Sequence, residues 1–340
     1  MKYTIYFFLM FAFLETTAQK HYKNLVMEGG GIKGIAYGGA LAELESRGVL
    51  QNITRVAGTS AGAIQACLVA LGFSAEEIST IIAETPVESF NDDGFVVRGS
   101  KRLLKQFGWF RGDTFLQKLE ELIYLRTGNA NLTFSELHQL ASAYPFRDLY
   151  VTGCNLSDQK VEIFSYETYP TMRIADAVRI SMSIPLYYRA LWVTPEGRVI
   201  EEPTENDNCK LFVDGGVLMN FPINVFDNSR YMNEYEGEKS VPVFNEETLG
   251  FRLDRCEQID HEINHQKGNA PFEINDFGSY MSALSSLIMR NATPPNPRDA
   301  ERTIFINDHG MSPRVRKVAE DEKQKMMLSG HHAVCEFFLR

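Results

Sequence analysis

Two short apolar runs, each followed by a glycine turn and a helix-like stretch, constrain the fold of this 340-residue chain most strongly. The first, Asn24 to Met27, leads into glycines and then into Ile35 to Leu44, where apolar residues recur at helical spacing. The second, Ile53 to Ala57, breaks at Gly58 and continues into the Ala- and Leu-rich stretch Ala61 to Leu71. Because parallel strands need a crossover to return the chain, two such units in succession predict a parallel sheet covered by helices.

Weaker signals place the remaining elements. The capping boxes Ser74 to Glu77 and Thr133 to Glu136 predict helix starts near Ala75 and Phe134. The stretch from 90 to 126 reads as helices with loops, and 316 to 339 as one closing helix or a pair broken at Gly330. Further strands are predicted at Tyr150 to Cys154, Val161 to Phe164 and Leu211 to Val213.

The first 18 residues have the pattern of an export signal. Lys2 precedes an apolar run from Ile5 to Leu14, and small residues ending at Ala18 follow. The run is too short for a membrane-spanning helix but suits a secretory h-region. We therefore predict a signal peptide at 1–18 and a protein that is periplasmic or secreted; the alternative is an uncleaved or amphipathic anchor.

The net charge limits the partners. A formal charge of −10 repels nucleic acid, and no Lys/Arg-rich stripe stands out in the sequence to offset it. Peripheral contact with a membrane would need a local apolar or basic patch, which the sequence does not locate. The five cysteines are odd in number and scattered, unlike a disulfide framework.

The segment Gly58-Thr59-Ser60-Ala61-Gly62 is a GxSxG sequence between a predicted strand and a predicted helix. In a nucleophile elbow the serine occupies a strained turn, so small neighbours are needed and its hydroxyl projects above the sheet. The start of the following helix favours developing negative charge. We interpret Ser60 as a nucleophile; the alternative is an inert serine in a glycine-flanked turn.

The glycine loop Gly29-Gly30-Gly31-Ile32-Lys33-Gly34 has two interpretations. It satisfies GxGxxG, the fingerprint of dinucleotide binding, but no acidic residue follows in the region 49–55 to hold a ribose. The loop is better explained as a set of bare backbone N–H donors for an oxyanion.

A candidate base follows the strand Leu211 to Val213. Asp214 precedes Gly215 and Gly216, and its carboxylate should emerge at a strand end, where sites of parallel sheets gather. The Asp-Gly pair is also typical of an ordinary Asx turn, and judged by itself it favours a turn over a catalytic base.

Together, GGGIKG, GTSAG and DGG resemble the patatin-like phospholipase family, a family of lipid acyl hydrolases. The stretch 177–185 (AVRISMSIP) and Asn220-Phe221-Pro222 add to the likeness, whereas 87–130 match nothing and leave the acyl pocket undefined. The resemblance implies a three-layer α/β/α sandwich over 19–340, with a motif-bearing core at 23–226 and an extension with a closing helix at 227–340. It also implies a Ser60–Asp214 dyad, with Gly30 and Gly31 as the principal oxyanion donors and Lys33 beside them.

This resemblance implies an esterase or phospholipase A that works through an acyl-enzyme, without cofactor or metal. Three other hypotheses stay open: an inactive lipid-binding scaffold, a nucleotide-dependent oxidoreductase, and a Ser-acid-His triad. The triad's histidine would come from those after Asp214, of which His309 lies in the best loop. His261 and His265, spaced i,i+4, could bind a metal but more simply form a solvated helix face. The candidates for the triad are His261, His265, His309, His331 and His332.

Overall fold

The computed structural model describes residues 21–232, 240–264, 266, 268–291 and 296–340. The predicted signal at 1–18 and His265 lie outside the described residues. Among the helices described, none is long and apolar enough to cross a bilayer.

Strands and helices are interspersed along the described part of the chain, which begins with β1 and ends with α10. The strands are β1 Asn24–Met27, β2 Arg55–Gly58, β3 Gly108–Phe110, β4 Asp148–Asn155, β5 Lys160–Phe164, β6 Leu186–Tyr188, β7 Leu191–Val193, β8 Val199–Ile200, β9 Lys210–Asp214, β10 Thr248–Asp254 and β11 Thr303–Asn307. The helices are α1 Ala36–Ser46, α2 Ala61–Ala70, α3 Ala75–Glu84, α4 Val96–Gln106, α5 Asp113–Thr127, α6 Phe134–Leu140, α7 Ile174–Ser181, α8 Cys256–Ile263, α9 Phe277–Asn291 and α10 Glu320–Leu339.

The central sheet has the order β11-β10-β1-β2-β4-β9-β7-β8, with β5 also paired to β4. Strands β11, β10, β1, β2 and β4 are parallel. Strands β5, β9, β7 and β8 add antiparallel pairs at the other end. The predicted parallel sheet is confirmed for the half that bears the glycine turns, and the antiparallel strands complete it.

The C-terminal extension completes this sheet rather than standing apart. Strand β10 pairs in parallel with β1, in the register Asn24↔Thr248 to Met27↔Phe251, and β11 pairs with β10. The first strand of the chain therefore lies between β2 and a strand that follows it by more than 200 residues.

A separate hydrophobic core lies on each face of the sheet. Alternate residues of each strand point to opposite faces, so Leu25 and Met27 of β1 enter the larger core and Val26 enters a smaller one. The larger core lies beneath α1, α2, α7 and α10, which pack on the strands or on one another. The smaller core is closed by an irregular segment that contributes Phe221 and Phe226.

Most predicted elements agree with the structure to within a few residues. The helix starts at Ala75 and Phe134 are confirmed, each with both capping-box hydrogen bonds. The closing helix is continuous from Glu320 to Leu339, so Gly330 lies inside it and does not divide it.

Gly330 permits a close approach of α10 to α1. A Cβ added to Gly330 would lie 2.0 Å from the Ala36 carbonyl oxygen, and one added to Gly39 would lie 1.8 Å from the Met327 carbonyl oxygen. Each helix thus presents a glycine to the other's main chain, which cannot yield as a flexible side chain can. The crossing distance of the two helices depends on these glycines.

We predict that Gly330→Ala lowers the free energy of unfolding by about 1–3 kcal/mol, because the added methyl group overpacks the crossing. The matched control is Gly278→Ala in α9, where the methyl would meet only the Asp276 carboxylate, at 3.3 Å. That control should be neutral or stabilising by up to about 1 kcal/mol, the helix propensity gain. Urea unfolding of both variants measures this; equal effects would show that the close approach does not matter.

Candidate active site

Ser60 occupies a strained turn between β2 and α2. Its backbone has φ 51° and ψ −121°, a conformation that costs a non-glycine residue energy. The Ser60 N–H donates to the Ser181 hydroxyl at 2.9 Å, which ties the turn to the end of α7. Ser60 is 8% exposed. The predicted elbow geometry is therefore present.

The two glycines of the elbow are there for steric reasons. A Cβ on Gly58 would lie 2.3 Å from the Gly62 carbonyl oxygen, and one on Gly62 would lie 2.2 Å from the Met27 carbonyl oxygen. Between them, Thr59 is buried and its hydroxyl lies 2.7 Å from that of Thr152 on β4. Ala61 begins α2, so the helix N-terminus opens directly at the serine.

The strand pairing that brings Asp214 to the elbow was not predicted from the sequence. We expected a parallel strand, but β9 is antiparallel to β4. The last paired residues of β2 and β4 are Gly58 and Val151, and β4 continues beyond them to Asn155. Strand β9 pairs with this overhang, runs back toward the end of β2 and stops at Asp214, opposite Gly153. The carboxylate thus emerges just beyond the strand that carries the serine.

The Asx turn is present, and it holds the Asp214 carboxylate in place. The Gly216 N–H donates to Asp214 Oδ1 at 2.7 Å, and the Asp214 N–H donates to the Ser183 carbonyl at 2.9 Å. Asp214 is 3% exposed. Burial raises the pKa of Asp214 to about 7, and hydrogen bonds from Gly216 and the Ser60 side chain partly oppose the rise. The Ser60 side chain therefore lies near the carboxylate, and burial makes the carboxylate more basic than usual.

The glycine loop lies directly against the elbow. A Cβ on Gly29 would meet the Ser60 Cβ at 3.2 Å, and one on Gly34 would meet the Ala61 Cβ at 3.1 Å. The Gly29 N–H is already used, donating to the Asn220 carbonyl at 3.0 Å. Within the described part of the chain, the N–H groups of Gly30 and Gly31 have no acceptor.

Gly31 itself cannot carry a side chain. Its φ is +55°, and a Cβ would lie 2.0 Å from the Pro313 carbonyl oxygen. That same carbonyl accepts the Ile32 N–H at 3.3 Å. The segment before α10 thus supports the loop from outside.

Lys33 anchors the loop. Its N–H donates to the Gly30 carbonyl at 3.2 Å, and its ammonium forms an ion pair with the fully buried Asp308 at 2.5 Å. The backbone N–H and the ammonium group of Lys33 therefore each have a partner in this structure. The residue that we expected beside the oxyanion instead ties the glycine loop to the turn after β11.

Two buried residues that support the loop carried no assigned role in the sequence. Glu28 follows β1 and accepts the Leu253 N–H at 2.8 Å and the Asn220 side-chain amide at 3.1 Å. Burial raises the pKa of Glu28 to about 7, and the neighbouring Asp254 adds to the rise. Asn220 also donates to the Gly29 carbonyl at 3.1 Å. An acidic residue placed directly between a strand and a glycine run was the available signal for Glu28.

The histidine candidates lie elsewhere. His309 follows β11, three positions from β2 in the sheet, which corresponds to roughly 14 Å at the usual strand spacing. It lines a cavity of about 480 Å³ together with Lys325 and His332 of α10. His331 pairs with Glu43 of α1 at 3.2 Å. This arrangement does not bring a described histidine to Ser60.

The serine and the aspartate are covered. Cavities of about 520 and 480 Å³ are lined by other residues. Helix α9 packs beside the acid turn, where the Met289 sulfur lies 3.3 Å from the position that a Gly216 Cβ would take. The covering explains how a carboxylate so near the sheet edge is kept from water.

The sequence model described as Patatin-like phospholipase matches residues 25–227, more than half of the chain. The chain belongs to the patatin-like phospholipase family. The matched range contains the elbow, the glycine loop and the acid turn.

Individual relatives agree with this assignment. The Bacillus subtilis protein YqhO is 34% identical over 215 residues, which are 62% of this chain and 68% of that protein. The "Probable lipid hydrolase 463L" of Invertebrate iridescent virus 6 is 28% identical over 65% of this chain and 68% of its own length. An uncharacterized protein of Acanthamoeba polyphaga mimivirus is 32% identical, and the match covers 62% of this chain and 63% of that protein.

Solved structures show the same fold. VipD from Legionella pneumophila matches 93% of this chain and 66% of its own, with a TM-score of 0.56 and 19% identity. A chain of the ExoU-SpcU complex of Pseudomonas aeruginosa matches 94% of this chain and 52% of its own, with a TM-score of 0.54 and 17% identity. At these identities the likeness concerns the fold alone.

We predict that Asp214→Asn stabilises the protein above pH 7. The folded-state pKa of Asp214 is raised from 3.8 to about 7. An unfolded chain then gives up this proton more readily, so stability falls as pH rises from about 4 to 7 and stays lower above it. Asparagine keeps an acceptor for Gly216 and has no charge to bury.

The measurement is urea unfolding of the variant and the parent at pH 5 and pH 8. The gain in free energy of unfolding should be on the order of a few kcal/mol at pH 8, since each unit of pKa shift corresponds to about 1.4 kcal/mol, and smaller at pH 5. The exposed Asp158, whose pKa is lowered chiefly by its hydrogen bond with Lys210, is the control, and Asp158→Asn should give no gain. A loss of stability in Asp214→Asn at pH 8 would contradict the assignment.

Proposed function

We propose that the protein is a serine lipid acyl hydrolase of the phospholipase A or esterase type, with Ser60 as nucleophile and Asp214 as base. The observation that carries the proposal is the buried contact between Asp214 and the strained Ser60 at the start of α2. A carboxylate with an ordinary pKa is a poor base for a hydroxyl, but one with a pKa near 7 suits neutral pH.

The reaction would proceed in two steps. Asp214 takes the proton of Ser60 as the oxygen of Ser60 attacks the acyl carbonyl carbon, and the tetrahedral intermediate collapses. The proton passes to the departing alkoxide, which leaves as an alcohol, and an acyl ester remains on Ser60. Asp214 then takes a proton from water, the resulting hydroxide attacks the ester, and the serine oxygen regains the proton as the fatty acid leaves.

The oxyanion would be held by the loop after β1. Of the residues that the sequence suggested, Gly30 and Gly31 keep backbone N–H groups without acceptors among the described residues, whereas Gly29 and Lys33 have theirs occupied. Gly34 lies inside the short helical turn Gly31–Ile35. We therefore narrow the donors to Gly30 and Gly31. A single such donor is typically worth on the order of 10² to 10³ in turnover.

The substrate and the place of action belong to the same proposal. Family membership supports a lipid substrate, and the relative from Invertebrate iridescent virus 6 has the printed name of a probable lipid hydrolase. We propose an acyl ester of a membrane lipid as the substrate, and export through the segment 1–18. No step of the proposed reaction requires a metal or a cofactor.

We predict that a fluorophosphonate labels the parent protein on Ser60, because an activated serine attacks phosphorus as it attacks a carbonyl. Peptide mass spectrometry would locate the adduct. Ser60→Ala should lose labelling, and its hydrolysis of a chromogenic acyl ester should fall by several orders of magnitude. Ser142→Ala, an exposed serine on the surface, is the matched control and should behave like the parent.

The same assay separates the alternatives. His309→Ala should keep near-normal turnover, and a loss of several orders of magnitude there would favour a triad. If the purified parent neither reacts with the fluorophosphonate nor hydrolyses esters, the inactive scaffold is the better description.

We predict that kcat/KM rises with pH through a midpoint near 7 and then levels off, because only ionised Asp214 can accept the proton and its pKa is raised to about 7. Initial rates with a neutral ester between pH 4 and pH 9 measure this. Asp158→Asn should leave the midpoint unchanged. A midpoint near 4 would mean that the base is an exposed carboxylate and not Asp214.

A further inference from the structure

Helix α4 exposes its apolar residues to solvent. Val96, Val97 and Leu104 are 71%, 83% and 81% exposed, and Phe95 just before the helix is 72% exposed. At 100° per residue these three helical positions fall within one third of the helix circumference. They form a stripe on the outer side.

The inner side of α4 is held by contacts of Gly99 and Arg102. Gly99 packs on the Trp109 indole, where an added Cβ would lie 2.7 Å from the ring. Arg102 is buried and donates to Asp93 and to the Trp109 carbonyl. A surface helix normally turns its aliphatic residues inward. Here a glycine and an arginine are inside, so the outward aliphatic stripe contributes nothing to the fold.

Cations border this stripe. Arg98, Lys101 and Lys105 lie next to Val97 and Leu104 on the helix wheel, and all three are exposed. Lys101 and Lys105 have no ion-pair partner among the described residues, whereas Arg98 lies 3.4 Å from Asp93. Helical spacing gathers these three cations, which are separated in the sequence, on one side of α4, a grouping that the sequence analysis did not locate.

Two further apolar residues are exposed where α4 ends and at the strand paired with its continuation. Phe107 ends α4 half-exposed, and the next residue, Gly108, pairs with Leu186, which is also exposed. Leu186 follows Ser183, the residue whose carbonyl accepts the Asp214 N–H. An exposed leucine therefore lies three residues after a residue that is hydrogen-bonded to the proposed base.

We propose that this α4 surface, formed by Phe95, Val96, Val97 and Leu104 with Arg98, Lys101 and Lys105, docks the protein on an anionic phospholipid bilayer. Apolar residues would enter the headgroup boundary while the flanking cations reach the phosphates. The inference rests on the proposed function, since a bilayer would hold the acyl substrate.

The charge pattern favours a lipid surface over a second copy of this chain. A symmetric dimer through this surface would bring the same patch against itself and so oppose cations to cations. The rest of the protein, with its excess of acidic residues, would be repelled by an anionic bilayer, which orients the molecule with α4 toward the lipid.

The test is cosedimentation of the full chain carrying Ser60→Ala with vesicles, so that lipid is not consumed. Binding should be strong on phosphatidylcholine mixed with phosphatidylglycerol, weak on phosphatidylcholine alone, and reduced by high salt. Lys101→Gln with Lys105→Gln should weaken partitioning roughly 30-fold, at about fivefold per cation. Val97→Ser with Leu104→Ser should weaken it roughly tenfold or more.

Matched controls exclude general surface effects. Leu339→Ser removes a leucine that is 82% exposed on α10, and Lys325→Gln removes an exposed cation on the same helix. Both should bind vesicles like the parent. If the α4 variants bind as tightly as these controls, or if the parent is a dimer that Val97→Ser with Leu104→Ser dissociates, the proposal is overturned.

Activity measurements separate this proposal from the proposed function. With Ser60 restored, the α4 variants should hydrolyse a water-soluble short ester at the parent rate and lose activity only on anionic vesicles. If Ser60→Ala keeps its activity on the soluble ester, the proposed mechanism fails, while the vesicle-binding result still decides the docking surface.

Discussion

The site depends on one piece of strand register. Strand β4 pairs with β2 only as far as Gly58↔Val151, and the part of β4 beyond this point pairs with β9, which is antiparallel to it. Because Asp214 is opposite Gly153, the carboxylate stops close to the end of β2, where the chain turns at Ser60. A slip of one residue would turn the side chain to the other face of the sheet and separate the pair.

The fold bears a cost in stability at this edge. Asp214 and Glu28 are both buried, and burial raises the pKa of each to about 7. The strained Ser60 and the left-handed Gly31 lie within the same few turns. Buried acids and strained backbone persist where the surroundings hold them, and here β4, α7 and the segment at Pro313 supply that support. The same burial raises the basicity of Asp214, on which the proposed mechanism relies.

Local patterns predicted the local structure well. Propensity, glycine conformation and helix capping act over a few residues. They account for strand β1, for the elbow at Ser60 and for the capped starts of α3 and α6. The antiparallel entry of β9 could not be predicted, because the pairing of distant strands leaves no local trace. Neither could the pairing of Lys33 with Asp308, 275 residues apart, which converts an expected donor into an anchor.

Helix α9 both covers the acid turn and exposes an apolar face to solvent. Its end is attached through Arg290, which pairs with Asp254 of β10 and Glu262 of α8, while Met289 faces the acid turn. Its opposite side exposes Phe277, Tyr280, Met281, Leu284, Leu287 and Ile288, a spacing that forms one apolar face. Met289, on the narrow inner side of this helix, thus contributes to the cover over the acid turn. The basicity of Asp214 is therefore linked to how firmly Arg290 holds α9 in place, since removing that cover would return the carboxylate toward water and its pKa toward the ordinary value.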